Sequence, residues 1–206
     1  MPDILICGHS FIKRYRQYLR RLSPPGRRNF PVELALPEAG NIAVYGQSGL
    51  KCDYDGRRFI MDKVDSVRPH ILVLEIGTND LCTPRYSAQE VAQKLFHFLS
   101  WVLNNSSVKV VVLCKVVDRW RLRDGLSHTD FESKRQQFNQ LLHTNAATDL
   151  RYVIHRHERN SIVNIRGGVV STDNIHVNTN TGLRLYNFSI RSAAVKGLRR
   201  FHEIYG

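Results

Sequence analysis

Five stretches of the chain are apolar almost without a break: Ile4–Cys7, Ile42–Tyr45, Ile71–Ile76, Val108–Val117 and, more weakly, Tyr152–His155. A strand with one wet face alternates apolar and polar side chains. Continuous apolarity marks strands covered on both faces, as in a parallel sheet. The segments between them repeat at helical spacing. Phe11, Tyr15, Leu19 and Leu22 follow the first strand, and a shorter helix is predicted over Phe59 to Val67, ended by Pro69. Ser87-x-x-Glu90 reads as a capping box ahead of Val91, Leu95, Phe98, Leu99 and Val102. Thr129-x-x-Glu132 reads as the start of another helix, with Phe138, Leu141 and Leu142 on its apolar side, and a last helix is expected over Thr181 to Arg200. Strand and helix thus alternate about five times. The fold that buries such a pattern is a three-layer α/β/α sandwich around a central, mainly parallel five-stranded sheet. Segments 23–41, which holds four prolines, 118–128 and 156–172 read as loops.

In open parallel sheets ligands bind at the carboxyl ends of the strands. The first three strands run into Gly8-His9-Ser10, Gly46-Gln47-Ser48-Gly49 and Gly77-Thr78-Asn79-Asp80, and the fifth is followed by a loop with Asp173-Asn174-Ile175-His176. These residue types suit acyl transfer. A serine hydroxyl becomes a nucleophile when a base takes its proton, and His176 is a candidate base for Ser10. Asp173 can turn back to the other ring nitrogen of His176 and stabilise the imidazolium. The tetrahedral oxyanion needs preorganised donors. Candidates are the backbone N–H groups of Ser10 and Gly49 and the side-chain amide of Asn79.

Each residue also has a structural reading. Ser10 is either a nucleophile or the cap of the first helix. Gly49 and Asn79 fit ordinary turns or caps, Asp173 an Asx turn, and His176 is one of nine histidines. The order of the whole set, each member after a strand or in the late loop, is what favours chemistry.

On these residues the chain resembles the SGNH hydrolases, the group that includes the GDSL esterases and lipases. Gly8-His9-Ser10 stands where that family has Gly-Asp-Ser. Gly49 matches the second-block glycine, Gly77-Thr78-Asn79-Asp80 the Gly-x-Asn-Asp block, and Asp173 to His176 the Asp-x-x-His block. The resemblance spans essentially the whole chain and implies an SGNH/flavodoxin-like fold. It implies a serine hydrolase acting on carboxylic esters without metal or cofactor. Ser10, His176 and Asp173 would form its triad, and Ser10, Gly49 and Asn79 its oxyanion hole. The "GHSF" stretch is also similar to esterase-like domains carried by some animal retroelements. The departure is His9, because an imidazole replaces only part of what a carboxylate accepts and titrates near neutral pH.

With 206 residues, 42% hydrophobic and 23% charged, the chain suits one globular domain over 1–206. Its start lacks a signal-peptide pattern and no run approaches a membrane span, so a cytoplasmic or nuclear protein is expected. Cys7, Cys52, Cys82 and Cys114 have neither C-x-x-C nor zinc spacing. Cys7 and Cys114 are expected as buried thiols. The absence of G-x-x-x-x-G-K-[ST] and G-x-G-x-x-G argues against a phosphate-loop protein. The formal charge of +12, with Lys13, Arg14, Arg16, Arg20, Arg21, Arg27 and Arg28 crowding the first helix and its loop, keeps a second class open. That class is a catalytically weak module binding nucleic acid or another anion through a basic surface. Arg85, Tyr86, Arg119, Trp120 and Arg121 are expected in loops bordering the site, as a polar rim or as contacts to an acidic ligand.

Overall fold

The computed structural model describes residues 1–22, 34, 36–119, 122, 125–157 and 181–206. Five strands, β1 (Ile4–Gly8), β2 (Ile42–Gly46), β3 (Ile71–Glu75), β4 (Val110–Cys114) and β5 (Tyr152–His155), form one sheet in the order β2-β1-β3-β4-β5. All four pairings are parallel, with Ile6 level with Val44 on one side and Val73 on the other. The long fourth apolar run yields only five strand residues; Val116 and Val117 continue past its end as buried loop.

The continuous apolarity has the expected cause. Leu5, Cys7, Leu72, Leu74, Val111 and Leu113 face one layer, and Ile4, Ile6, Val73, Val110 and Val112 face the other. The first layer is α2 (Tyr54–Val67), the short α3 (Thr78–Leu81), α4 (Ala88–Asn105) and α5 (His128–Ala146). The second is α1 (Ser10–Leu22) and α6 (Thr181–Tyr205). This is the three-layer α/β/α sandwich read from the sequence.

Helix starts follow local capping chemistry. The Ser87–Glu90 capping box is present in full. The helix expected at Phe59 begins at Tyr54, because Asp53 accepts the Gly56 N–H and caps it earlier. The start assigned to Thr129-x-x-Glu132 is corrected: Ser127 is the cap and accepts the Asp130 N–H, while Glu132 pairs with Arg135. The last helix continues beyond Arg200 to Tyr205. Among the described residues no helix is long and apolar enough to cross a membrane.

Candidate functional site

β1 delivers the first motif. The Lys13 N–H bonds the His9 carbonyl at 3.1 Å, which makes His9 the residue that opens α1. Its Nδ1 accepts the Phe11 N–H at 3.3 Å. An N-cap residue does this by accepting from the second or third helical N–H. The cap is therefore His9, and Ser10 is the first helical residue, partly exposed where the strand turns into the helix. The structural alternative for Ser10 is thus taken over by its neighbour.

β2 delivers the second. Residues 47–50 form a turn closed by the Leu50 N–H on the Gln47 carbonyl. Gly49 has φ 77°, and nothing lies within 4 Å of where its Cβ would stand. A side chain would be strained there by backbone conformation, not by crowding. β3 delivers the third through Gly77, at φ 103°, into the one-turn helix α3 that carries Asn79 and Asp80.

The three turns are tied to each other in pairs. The Gln47 N–H bonds the Gly8 carbonyl at 3.0 Å, and the Lys13 ammonium bonds Ser48 Oγ at 3.4 Å. Asn79 Nδ2 donates to the Leu50 carbonyl at 3.0 Å, and Asp80 Oδ1 accepts the Cys52 N–H at 2.9 Å. Thr78 Oγ1 and His9 Nε2 are 3.3 Å apart. Ser10, Gly49 and Asn79 therefore sit on three turns at one edge of the sheet.

Arg119, expected on the rim, is instead 6% exposed and reaches inward. Its Nη1 donates to Asn79 Oδ1 at 3.3 Å and to Cys82 Sγ at 3.4 Å. A guanidinium only donates, so this contact fixes which end of the Asn79 amide is oxygen. The NH2 end points toward the Leu50 side, and one of its two hydrogens is used by the Leu50 carbonyl. Asp80 is 3% exposed, with Oδ2 lacking a hydrogen-bond partner; burial, the leading cause, raises its carboxyl to about 6.

A second polar group lies under Ser10 on the α1/α6 face. Glu75, the last residue of β3, is 3% exposed, and burial pushes its carboxyl up to about 7. The Tyr186 hydroxyl of α6 donates to its Oε2. His9 Nε2 stands 3.4 Å from Oε1, and His157 Nε2 stands 3.9 Å from Oε2. His157 Nδ1 and His155 Nε2 share the Ser189 hydroxyl at 2.8 and 3.0 Å. Burial lowers His157 to about 3 and His155 to about 4, so both rings are neutral near pH 7. The sequence reading missed this group. Its signal was a lone carboxylate inside the apolar run Ile-Leu-Val-Leu-Glu-Ile.

Glu75, Cys114 and His157 are a grouping of metal-ligand type among the described residues, their ligand atoms within 4.8 Å of one another. The Tyr186 and His9 contacts already engage the carboxylate oxygens, which makes the grouping part of a hydrogen-bonded cluster. Burial also raises the Cys7, Cys52 and Cys114 thiols, which makes all three poor nucleophiles.

Asp173 and His176 lie outside the described residues, as do Trp120, Arg121, Arg27 and Arg28. β5 ends at His155 on the carboxyl edge that also presents Ser10. Beside it, a cavity of about 380 Å³ is lined by Lys115, Arg135, Gln136, Arg156 and His157 among others.

No protein-family model matches the sequence, and no curated protein does. Solved structures match at the level of fold. A member of the lipolytic protein G-D-S-L family from Veillonella parvula has 18% identity and a TM-score of 0.65, over 92% of this chain and 96% of that one. A GDSL-like lipase from Bacteroides thetaiotaomicron has 15% identity and a TM-score of 0.69, over 95% and 88%. A carbohydrate esterase family 3 structure from Talaromyces cellulolyticus has 14% identity and a TM-score of 0.63, over 97% and 99%. At these identities the likeness shows the shared SGNH-type α/β fold.

Proposed function

We propose that the chain is a carboxylic ester hydrolase working through an acyl-enzyme. Ser10 attacks the ester carbonyl as His176 takes its proton, and Asp173 holds the His176 tautomer and stabilises the imidazolium. The backbone N–H groups of Ser10 and Gly49 and the Asn79 amide receive the oxyanion. His176 then protonates the leaving alcohol, and water releases the acyl group by the same steps in reverse. The single observation that supports this reading is the pairwise hydrogen bonding of the three motif turns. It brings a partly exposed serine, a positive-φ glycine and an oriented amide to one sheet edge. GDSL-type lipases and an esterase share the fold, which agrees with the reading.

The test is fluorophosphonate labelling with mapping of the modified residue, beside turnover of short-chain p-nitrophenyl esters. Parent protein labelled at Ser10 and hydrolysing esters, with both lost in Ser10→Ala, is the expected result. Equal turnover by parent and variant overturns the assignment.

A second reading has its own observation. On edge strand β2, the Arg16 guanidinium lies 4.5 Å from the Tyr45 ring centre and the Lys63 ammonium 5.4 Å from it. Basic groups interleaved with a partly buried edge aromatic suit an anionic partner such as single-stranded nucleic acid. Binding that falls steeply with salt supports this role, and no binding at low salt removes it.

A further inference from the structure

We infer that Glu75 and His9 act together as positioning residues for Ser10: the carboxylate ending β3 fixes the His9 ring, and the ring fixes the turn that presents the serine. The inference rests on the hydrolase reading above. It explains how a Gly-His-Ser turn does the work of a turn with a carboxylate in the middle.

The logic is one of proton placement. His9 Nδ1 accepts the Phe11 N–H, so Nδ1 carries no proton and the neutral ring keeps its proton on Nε2. The opposite tautomer would set two N–H groups against each other at the mouth of α1. A buried ring N–H needs an acceptor. His9 is 2% exposed and its Nε2 meets Thr78 Oγ1 at 3.3 Å and Glu75 Oε1 at 3.4 Å. The hydrogen bond at one ring nitrogen sets the state of the other. Glu75, beside the Thr78 hydroxyl, thus offers an acceptor to the proton of the tautomer that caps the helix. Glu75 is itself held, because the Tyr186 hydroxyl of α6 donates to its other oxygen. A line of contacts runs from α6 through Glu75 and His9 to the first turn of α1. The Thr78 branch reaches the neighbour of Asn79, so one ring references both the serine and the oxyanion amide.

Two measurements test this. Long-range ¹⁵N imidazole NMR on the unmodified protein reads the His9 tautomer directly. The Nε2–H form is expected, and the Nδ1–H form overturns the inference whatever the activity. The second is a double-mutant cycle on the rate of Ser10 phosphonylation, using Glu75→Gln and His9→Asn in proteins that melt cooperatively. The Asn oxygen can still accept the Phe11 N–H, but the side chain is too short to reach Glu75. Glu75→Gln should slow labelling roughly 10- to 100-fold, the scale of a small misplacement of a reacting group, with KM for esters little changed. In the His9→Asn background, already slower than the parent, Glu75→Gln should add less than about twofold if the ring carries the coupling. Additive losses, or no loss in Glu75→Gln, overturn the inference. A parent that the phosphonate leaves unlabelled, with His9 in the Nε2–H form, removes the hydrolase reading and this role with it. An active parent with the wrong tautomer removes this role alone.

Discussion

Two buried carboxylates flank the serine turn, and they are anchored in different ways. Asp80, on the α2/α4/α5 side, accepts a main-chain donor, the Cys52 N–H, and keeps its other oxygen without a hydrogen bond. Glu75, on the α1/α6 side, meets side chains from three other places in the chain: His9, His157 and Tyr186. Burial raises both, Asp80 to about 6 and Glu75 to about 7. Asp80 is anchored chiefly through a main-chain N–H, with the Cys52 thiol beside it, so it pins the loop at one place in the chain. Glu75 depends on what its partners are, so it can transmit a change in one of them to another. The Asp80 side holds the turn of Asn79, the proposed oxyanion donor, and the Glu75 side holds the turn of Ser10, the proposed nucleophile.

The largest expected effect isolates the oxyanion side. Asn79→Ala removes the amide and the acceptor that Arg119 bonds. Loss of one oxyanion donor typically costs about 3 kcal/mol, or roughly a hundredfold or more in kcat. Ester turnover should fall by that factor while the melting temperature moves by only a few degrees. A comparable collapse of stability would make Asn79 a structural brace instead. Arg119→Ala should show a smaller drop in the same direction, because the amide stays but loses the group that orients it.

The next effect separates the carboxylates by pH. Both have folded pKa values above their unfolded ones, so the folded state holds the extra proton and is favoured at low pH. For Asp80 that stabilisation is full below about 4 and lost as pH rises to about 6. For Glu75 it is full below about 4.5 and lost as pH rises to about 7. Each shift corresponds to on the order of 3 kcal/mol. Between pH 6 and 7.5 Glu75 should therefore dominate of the two. The groups facing it, His9, His157, Tyr186 and Cys114, include two that burial keeps uncharged through this range, His157 and Tyr186. His155 and His157, neutral in the fold but protonated in the unfolded chain below about 6.5, add an opposing slope to both proteins, so chemical denaturation across that interval should show Glu75→Gln gaining stability relative to the parent by about 1 kcal/mol as pH rises. Asp80→Asn should keep the parent's slope. Equal slopes in parent and Glu75→Gln would place the ionisation elsewhere.

This contrast also marks what was legible in the sequence. The strands were visible because helices cover both faces of the sheet, fully over β1, β3 and β4 and partly over the edge strands β2 and β5, which leaves continuous apolar runs. Asn79 and Asp80 were visible because a turn after a strand demands a short local pattern. The Glu75 cluster was not, because Tyr186 and His157 are 111 and 82 positions away from Glu75 and only the packing of α6 against the sheet brings them together. The same blindness hid the inward course of Arg119 and the capping by His9, whose imidazole is an uncommon cap. Helix starts at Asp53 and Ser127 were displaced because several Ser, Thr and Asp residues compete within a few positions, and tertiary contacts choose among them.

The smallest effect compares two glycines, one in each of the second and third motif turns. Both have positive φ, 77° at Gly49 and 103° at Gly77, so alanine is strained at either. Their surroundings differ. At Gly49 a Cβ meets nothing within 4 Å, whereas at Gly77 it would stand 2.9 Å from the Phe138 ring. Gly49→Ala should then cost only the backbone penalty, about 1 kcal/mol. Gly77→Ala should cost that and a further 1–3 kcal/mol of overpacking against a ring buried in the core. Denaturation midpoints at one pH measure the difference. Ester kinetics then ask a separate question of the cheaper variant: if the Gly49 N–H meets the oxyanion, Gly49→Ala loses kcat beyond what its small destabilisation explains, because the strained turn relaxes by rotating that peptide. Unchanged kcat at the expected loss of stability would take Gly49 out of the oxyanion hole and leave Ser10 and Asn79 as its donors.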